Sequence, residues 1–417
     1  MSRPDIARLA DRIASRRSFL LDAGIVGLGL AATRAATARA ETIVKLPLPG
    51  GPQGRRIATD FPQKGAMILQ RTRPPLLETS FEVFDRGIFT PNDRFFVRWH
   101  WAVIPGQVDV ATFRLAVRGH VDRPLSLSLA DILAMPQVEL AAVNQCSGNS
   151  RGLFQPRVAG GQWDNGAMGN AKWTGVRLKD VLDRAGVKAG ATAARFNGLD
   201  QPVVDDGPDF MKSLDIDHAR DGEVMIAFAM NGEQLPLLNG FPLRLVVPGW
   251  YSTYWVKMLS DVEVLDAPDQ SYWMATAYRI PDTPHADVKP GETGFKTVPI
   301  HRMVPRSFIT NLVAGAVVPA GAPTLVRGIA FGGDTGVGKV DLSTDGGKTW
   351  QPTKLGPDAG KYSFRQWETS VTLADRGSHA LMVRCTNDGS VAQSQVPNWN
   401  PAGFMRNVIE TTPITVS

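Results

Sequence analysis

Cysteine is scarce in this sequence, with two residues among 417. Two cysteines cannot build a disulfide framework, and no Cys-x-x-Cys pair is present to begin a zinc site. The six histidines are not paired at the spacing of metal ligands, and the haem-attachment motif CxxCH does not occur. Neither a GxSxG nucleophile motif nor a P-loop is present. These absences exclude a disulfide scaffold, covalently attached haem and the commonest hydrolase and nucleotide motifs.

A sustained excess of one charge is also missing. The chain has 45 basic and 40 acidic residues, but residues 1–40 alone hold seven arginines and three acids. The remaining chain therefore carries 38 basic and 37 acidic residues. A nucleic-acid-binding surface needs a basic excess, so we do not expect one. With 43% hydrophobic and 20% charged residues, the composition is that of a globular protein of two or three domains.

No run of 18 apolar residues is present, and the N-terminus predicts an export signal instead. The pair Arg16-Arg17 precedes a short uncharged run, Ala23–Thr33, and Ala38–Ala40 is a small-x-small cleavage pattern. A membrane anchor, the alternative, would need roughly 20 apolar residues. We predict that residues 1–40 are a cleaved twin-arginine signal peptide and that the mature protein is periplasmic. The twin-arginine route also suggests a cofactor, because it carries proteins that fold before export.

Secondary-structure patterns change along the chain. Residues 41–80 are rich in proline and glycine and are expected to wrap over a surface. From about residue 93 to 300, short strands alternate with short helices. The helices are predicted at Leu129–Met135, capped by Ser128, and at Leu178–Ala185, ended by Gly186. The strands predicted in this region are Phe95–Ile104 and Leu243–Val247.

From about residue 301, helix patterns almost disappear. Short strand patterns follow one another at roughly 8–15-residue spacing with turn residues between them, which predicts a β-sandwich. The predicted strands are Thr324–Phe331, Gly338–Ser343, Ser370–Leu373, Ala380–Cys385 and Val408–Val416.

One strand pattern collects polar groups on a single face. Side chains alternate between the two faces of a strand. In the run from residue 95 to 101, one face carries Phe96, Arg98 and His100. The opposite face, toward the core, carries Val97, Trp99 and Trp101. The polar face could line an anion pocket or could be an ordinary half-exposed surface, and periodicity leaves both open.

Cys146 opens a turn-rich loop after the apolar strand pattern Val138–Val143, and Arg151 follows it. A nearby arginine favours the thiolate, which is a good ligand for a soft metal. A buried inert cysteine is the alternative. Cys385 lies in an apolar strand pattern and is predicted to be a core residue. A disulfide between the two is conceivable in the periplasm, but a metal on Cys146 would exclude it.

Several motifs together resemble the sulfite oxidase family of molybdopterin enzymes, most closely its bacterial periplasmic sulfite dehydrogenases. The resemblance covers about residues 85–417. Its motifs are Phe95–His100, Gln145–Asn149 with Arg151, Trp173–Val176, Asn231–Pro236, Gly240–Arg244, Val256–Lys257, Ser343–Trp350 and Trp399–Asn400. The resemblance implies an α+β chain with a mixed α/β molybdopterin-binding catalytic domain at residues 41–300. An immunoglobulin-like β-sandwich of the dimerisation type would follow at residues 301–417.

The resemblance also implies roles for individual residues. Cys146 would be the thiolate ligand of molybdenum. An anion pocket would be formed by Arg98, Arg151 and Tyr278, joined by Arg406 from the second domain. The residues expected to bind the molybdopterin are Phe96, His100, Asp200, Asn239, Arg244 and Lys257. The family often has histidine in the place of Asn239, where an amide can still form hydrogen bonds.

Arginines suit the substrate that the resemblance implies. Sulfite is a small dianion, and guanidinium groups bind oxyanions through paired hydrogen bonds while staying charged. The implied activity is oxidation of sulfite to sulfate at a molybdenum centre. The expected electron acceptor is a separate c-type cytochrome. That cytochrome could be a permanent subunit in a heterodimer or a transient partner of a homodimer, and the sequence leaves both open.

Two other functions remain open at this point. A periplasmic molybdopterin sulfoxide reductase would share the cysteine ligand and the export signal. It would not need the arginine pocket or Tyr278, and it usually lacks the sandwich. A secreted, non-catalytic binding protein would use the sandwich for adhesion and would hold no metal. Molybdenum analysis distinguishes the binding protein, and sulfite-dependent reduction of cytochrome c distinguishes the two enzymes.

Overall fold

The structure is a computed structural model that describes residues 41–417. The predicted signal peptide lies outside the described residues. In the described part of the chain, no helix is both long enough and apolar enough to cross a membrane.

Helices are short and strands dominate the described residues. In chain order the helices are α1 (Leu129–Leu133), α2 (Leu178–Ala185), α3 (Ile216–Ala219) and α4 (Tyr272–Ala275). The strands up to residue 177 are β1 (Ile43–Lys45), β2 (Gly54–Ala58), β3 (Met67–Arg71), β4 (Leu76–Glu78), β5 (Val97–Arg98), β6 (Leu115–Gly119), β7 (Leu125–Leu127), β8 (Gln137–Gln145) and β9 (Met168–Arg177). Those up to residue 299 are β10 (Ala193–Asn197), β11 (Met211–Asp215), β12 (Met225–Met230), β13 (Glu233–Gln234), β14 (Arg244–Val246), β15 (Asp261–Leu265), β16 (Arg279–Pro281) and β17 (Thr297–Pro299). The remaining strands are β18 (Arg306–Ile309), β19 (Ala316–Val318), β20 (Pro323–Phe331), β21 (Val337–Ser343), β22 (Gln351–Pro352), β23 (Lys354–Leu355), β24 (Arg365–Thr372), β25 (Gly377–Asn387) and β26 (Glu410–Val416).

Residues 41–80, which we expected to wrap over a surface, form four short strands. β1 to β5 pair in sequence order in one antiparallel sheet. Met67 and Leu77 of this sheet pack with Trp99 and Met258 in a buried apolar cluster. The prolines and glycines that suggested an irregular segment lie almost entirely in the turns between short strands, where such residues are favoured.

The predicted strand Phe95–Ile104 is much shorter in the structure. Only Val97 and Arg98 pair as a strand, with Leu77 and Leu76 of β4, and Val103 forms an isolated bridge with Gln201. Beyond Arg98 the chain leaves the sheet, and the Trp99 indole donates a hydrogen bond to the carbonyl oxygen of Leu238 at 3.0 Å. Tertiary contacts rather than ladder pairing therefore hold this segment.

Besides the small sheet of β16 and β17, two larger sheets build the rest of residues 41–300. One has the order β11-β10-β15-β6-β7, in which β15 and β6 are parallel. The other has the order β13-β12-β9-β8, with β14 paired to β12. The predicted helix Leu178–Ala185 is α2, and Gly186 ends it with φ of +71°. Helix α1 has the predicted Ser128 cap, reinforced by Asp131, but stops at Leu133.

The C-terminal region is the predicted β-sandwich. One sheet has the order β18-β20-β24-β23 and the other β19-β26-β25-β21-β22. The predicted strands correspond to β20, β21, β24, β25 and β26, with shifted ends. Their inner faces share an apolar core that includes Trp367, Leu381 and Cys385. Cys385 is fully buried and, like Cys146, is a free thiol. The α+β class with a sandwich is therefore confirmed.

Candidate active site

Cys146 stands at the end of β8 and is buried. Its backbone N–H donates to the carbonyl oxygen of Ala167 at 2.9 Å, and its carbonyl oxygen accepts from the N–H of Asn149 at 2.9 Å. The Asn149 side chain accepts in turn from the N–H of Ala167 at 2.9 Å. These bonds tie the cysteine loop to the start of β9, so the thiol has a fixed place at the strand end.

A pocket opens beside this thiol, and it draws on segments far apart in sequence. Its lining residues come from the β5 region, the cysteine loop, the turn before β14 and the segment around Tyr278. They are Phe96, Val97, Arg98, His100, Asn144, Cys146, Ser147, Phe210, Leu238, Asn239, Arg244, Ser252, Thr253, Lys257 and Tyr278. Eight of the predicted site residues therefore line one cavity: Phe96, Arg98, His100, Cys146, Asn239, Arg244, Lys257 and Tyr278.

His100 and Tyr278 form a hydrogen-bonded pair in this pocket. His100 Nε2 lies 2.6 Å from the Tyr278 hydroxyl oxygen, and the imidazole stacks on Phe210 with ring centroids 3.5 Å apart. Burial, with the positive charges of Arg98 and Lys257, holds the pKa of His100 well below its usual value. Burial also raises the pKa of Tyr278. The hydrogen bond therefore joins a protonated tyrosine hydroxyl to a neutral imidazole.

The Arg151 side chain is closely surrounded by three glycines. A Cβ at Gly148 would overlap its guanidinium, and Cβ atoms at Gly160 and Gly403 would lie within 3.0 Å of its side chain. Its Nε donates to the carbonyl oxygen of Ala402 at 3.0 Å. Burial lowers the pKa of Arg151, while the nearby groups of Cys146 and Tyr278 act in the opposite direction. The structure thus brings Arg151 into the electrostatic neighbourhood of the pocket, although it is not a lining residue.

Arg244 and Lys257 form the cationic end of the pocket. Their backbones pair in an isolated bridge. The Arg244 guanidinium lies 4.8 Å from the ring centroid of Trp173, and Lys257 Nζ lies 4.4 Å from that of Trp99. Burial lowers the pKa of Arg244 to about 9. Burial and the charge of Arg244 together lower the pKa of Lys257 to about 7. Two buried cations that repel each other favour an anionic occupant.

Asp200 and Arg406 occupy more remote positions. Asp200 does not line the pocket, but its charge acts on Lys257, and burial raises its pKa to about 6. Arg406 does not line the pocket either, and the charges that act on it are those of Glu410, Arg306 and Asp164. The expected contribution of Arg406 to the anion pocket is thus not seen in this structure. The aromatic ring of Phe404, from the same segment, stacks on Tyr278 with centroids 5.3 Å apart.

Sequence reasoning missed several lining residues. Asn144 and Ser147 flank Cys146, so their place next to the motif was the available signal. Phe210 and Thr253 lie in segments with no distinguishing pattern. Only the folding of β11 and of the turn at Ser252–Tyr254 brings them to the pocket.

The pocket suits a cofactor rich in hydrogen-bonding groups. In the described part of the chain, five lining residues carry a buried polar atom without a hydrogen-bond partner: Arg98 Nη1, Asn144 Nδ2, Ser147 Oγ, Arg244 Nε and Thr253 Oγ1. Buried polar groups are normally paired, so these atoms suit the polar groups of a ligand. Cys146 is a buried free thiol that lines this pocket, so its sulfur could serve as a ligand to a metal bound here.

Comparisons with known proteins agree with this site. Residues 101–273 match the family described as "Oxidoreductase molybdopterin binding domain", and residues 298–416 match "Mo-co oxidoreductase dimerisation domain". Mitochondrial sulfite oxidase of Homo sapiens is 33% identical over 376 residues, 86% of this chain and 68% of that protein. Sulfite oxidase of Gallus gallus is 33% identical over 365 residues, 84% of this chain and 78% of that protein.

The fold is also shared with a solved structure. The sulfane dehydrogenase SoxCD from Paracoccus pantotrophus superposes with a TM-score of 0.69 over 82% of this chain and 87% of that chain, at 24% identity. Together the matches define a molybdopterin-binding oxidoreductase with a dimerisation domain. The chain belongs to the sulfite oxidase family, and its cofactor is a molybdenum–molybdopterin.

Proposed function

We propose that this protein oxidises sulfite to sulfate. The observation that carries the proposal is the cationic surrounding of the Cys146 thiol: Arg98 lines its pocket, and Arg151 lies close enough for Cys146 and Tyr278 to act on its charge. Arginine pairs bind small oxyanions by charge-assisted hydrogen bonds. Sulfite and water give sulfate, two protons and two electrons, and a bound molybdenum–molybdopterin would supply the oxygen-atom transfer chemistry.

The side chains would act by placement and charge. Arg98 and Arg151 would bind the sulfite oxygens and orient the sulfur toward the metal side of the pocket. The Tyr278 hydroxyl, held by His100, would offer a hydrogen-bonding group of fixed direction beside Arg98. Burial of the pocket would exclude bulk water, which strengthens these electrostatic interactions.

We propose a c-type cytochrome as the electron acceptor, which would receive the electrons one at a time. The test is anaerobic reduction of cytochrome c by the purified, molybdenum-loaded chain with sulfite. Dimethyl sulfoxide and nitrate serve as comparison substrates with a reduced dye. Nitrate is included because nitrate reductase [NAD(P)H] of Hordeum vulgare is 30% identical over 365 residues, 81% of this chain and 40% of that protein. Faster turnover of either oxidised compound than of sulfite would refute the proposal.

A periplasmic location is part of the same proposal and rests on the Arg16-Arg17 pair and the cleavage pattern after it. Replacement of both arginines by lysine should leave active protein in the cytoplasm of fractionated cells. Unchanged periplasmic activity would show that another export route suffices. The mass of the protein in solution, alone and with the cytochrome, distinguishes a homodimer from a permanent heterodimer.

A further inference from the structure

A buried lysine links the connection between β2 and β3 of the N-terminal sheet to the cofactor pocket. Lys64 lies in the connection between β2 and β3 and is 7% exposed. Its ammonium donates to the carbonyl oxygens of Asn92 at 2.7 Å and Phe95 at 2.9 Å, and to the side-chain oxygen of Asn239. An ammonium group has three hydrogens and no acceptor, so these bonds use its whole capacity.

This contact fixes the orientation of the Asn239 amide. Because Lys64 can only donate, Asn239 must turn its carbonyl oxygen toward the lysine. Its Nδ2 then donates to the carbonyl oxygen of Phe96 at 3.1 Å. The amide nitrogen keeps one hydrogen for a further acceptor, and Asn239 lines the cofactor pocket. The reversed amide would place its NH₂ group against the ammonium.

The surroundings of Asn239 are cationic on the pocket side as well. Its backbone carbonyl oxygen accepts from Arg244 Nη1 at 2.9 Å. Burial and, to a smaller extent, the charge of Arg244 lower the pKa of Lys64 to about 7, while the charge of Asp93 opposes the shift. An anion or a strong hydrogen-bond acceptor in the pocket would relieve this repulsion.

We propose that Lys64 is a positioning residue for the cofactor. It holds the Asn239 amide with an N–H available to the pocket, next to Arg244, where an acceptor group of the molybdopterin binds. The connection between β2 and β3 is thereby part of the cofactor site, although it lies outside residues 101–273, which match the molybdopterin-binding family. The inference rests on the cofactor and not on the identity of the substrate.

The test compares cofactor retention in four variants of the full chain: Lys64→Met, Asn239→Ala, the double variant and Arg94→Met. Arg94 is the matched control, because its guanidinium joins the same two segments by donating to the carbonyl oxygen of Ala66 at 2.6 Å without touching Asn239. Molybdenum and pterin per chain are measured after purification, and their release is followed during dialysis. Urea unfolding of cofactor-free protein reports on the fold separately.

Lys64→Met and Asn239→Ala should each release the cofactor about tenfold faster than the parent, the range seen for residues that orient ligands. The double variant should release it no faster than the faster single variant, because both changes remove the same amide donor. Arg94→Met should release it at the parental rate. Equal loss in Arg94→Met, or losses that multiply in the double variant, would overturn the proposal.

If Lys64→Met yields no folded chain, Lys64→Gln takes its place in the same comparison. If neither variant folds, Lys64 serves the fold and the proposal is wrong. Release is measured without substrate, so these results do not depend on sulfite oxidation, which the cytochrome assay of the parent decides.

Discussion

The imidazole of His100 and the hydroxyl of Tyr278 are joined by a hydrogen bond of 2.6 Å. The imidazole is neutral, because burial and the surrounding cations hold its pKa well below the usual value. Tyr278 itself has φ of 55°, an uncommon value for a bulky residue. The backbone and the histidine together aim one hydroxyl into the pocket.

Tyr278→Phe should lower kcat more than it raises KM for sulfite. The ring and its stacking on Phe404 remain, and only the hydroxyl is lost, so the effect should appear in the step where that hydroxyl acts. Steady-state kinetics measure both constants. Tyr272→Phe is the control, because Tyr272 is 46% exposed and does not line the pocket. An unchanged kcat in Tyr278→Phe would show that the hydroxyl has no part in turnover.

Arg98→Gln should raise the KM for sulfite by about ten- to a hundredfold, because a charge-assisted hydrogen bond contributes roughly 1.5–3 kcal/mol. Sulfate should inhibit the parent more strongly than the variant, and added salt should weaken sulfite binding to the parent. Initial rates at two salt concentrations test all three effects. The exposed Arg123→Gln should behave like the parent. If Arg98→Gln leaves KM and sulfate inhibition unchanged, Arg98 has a structural role only.

Gly148→Ala should act through Arg151. A Cβ at position 148 would overlap the Arg151 guanidinium, so the guanidinium would have to move. Gly160 and Gly403 lie close to the same side chain and restrict where it can go. We expect a higher KM for sulfite with molybdenum content close to that of the parent. Gly106→Ala is the matched change, since its Cβ would meet nothing within 4 Å. A parental KM in Gly148→Ala would show that the position of Arg151 is unimportant for substrate binding.

Cys146→Ser should leave a folded protein without turnover. A serine oxygen is a harder and weaker electron donor to molybdenum than a thiolate. Molybdenum content, circular dichroism and sulfite oxidation are measured together. Cys385→Ala is the contrasting change. It should lower Tm because it removes a sulfur atom that packs in the sandwich core. Molybdenum content and turnover per molybdenum should stay at the parental level. Turnover of Cys146→Ser within a few-fold of the parent would contradict the ligand assignment.

Glu78→Gln should change how stability depends on pH. Glu78 is 1% exposed, and burial, with the charge of Asp164, raises the pKa of its carboxyl to about 8. Because the folded pKa lies above the unfolded value, the protonated acid contributes stability that is complete below about pH 4 and is lost as pH rises through 8. The amide cannot ionise. The free energy of unfolding of the variant, relative to that of the parent, should therefore be higher at pH 8.5 than at pH 5.

Urea unfolding at these two pH values measures the difference. The exposed Glu82→Gln, which removes a carboxyl in the following turn, should show no such pH dependence. The same difference between Glu78→Gln and the parent at both pH values would mean that Glu78 is ionised in the folded chain.

Local patterns in the sequence were enough for several features of this protein. The helix at Leu178–Ala185 ends at a glycine that accepts the left-handed backbone, and the core place of Cys385 follows from its apolar strand. The alternation around Arg98 grouped Phe96, Arg98 and His100, which do line one pocket. Val97, which it assigned to the opposite face, lines that pocket too, because the strand ends at Arg98. The motifs around Cys146 indicated the sulfite oxidase family, and the matched relatives confirm it.

Only the tertiary structure decided how distant segments meet. The N-terminal strands looked irregular in sequence because each is short and is stabilised by its neighbours in the sheet rather than by its own pattern. Lys64 shows no sequence signal at all, since its three acceptors come from residues 92, 95 and 239. The family resemblance placed Arg406 in the anion pocket, yet the charges that act on it are those of Glu410, Arg306 and Asp164. A side chain's neighbours, and with them its charge state and hydrogen bonds, are set by packing across the chain, which no local pattern encodes.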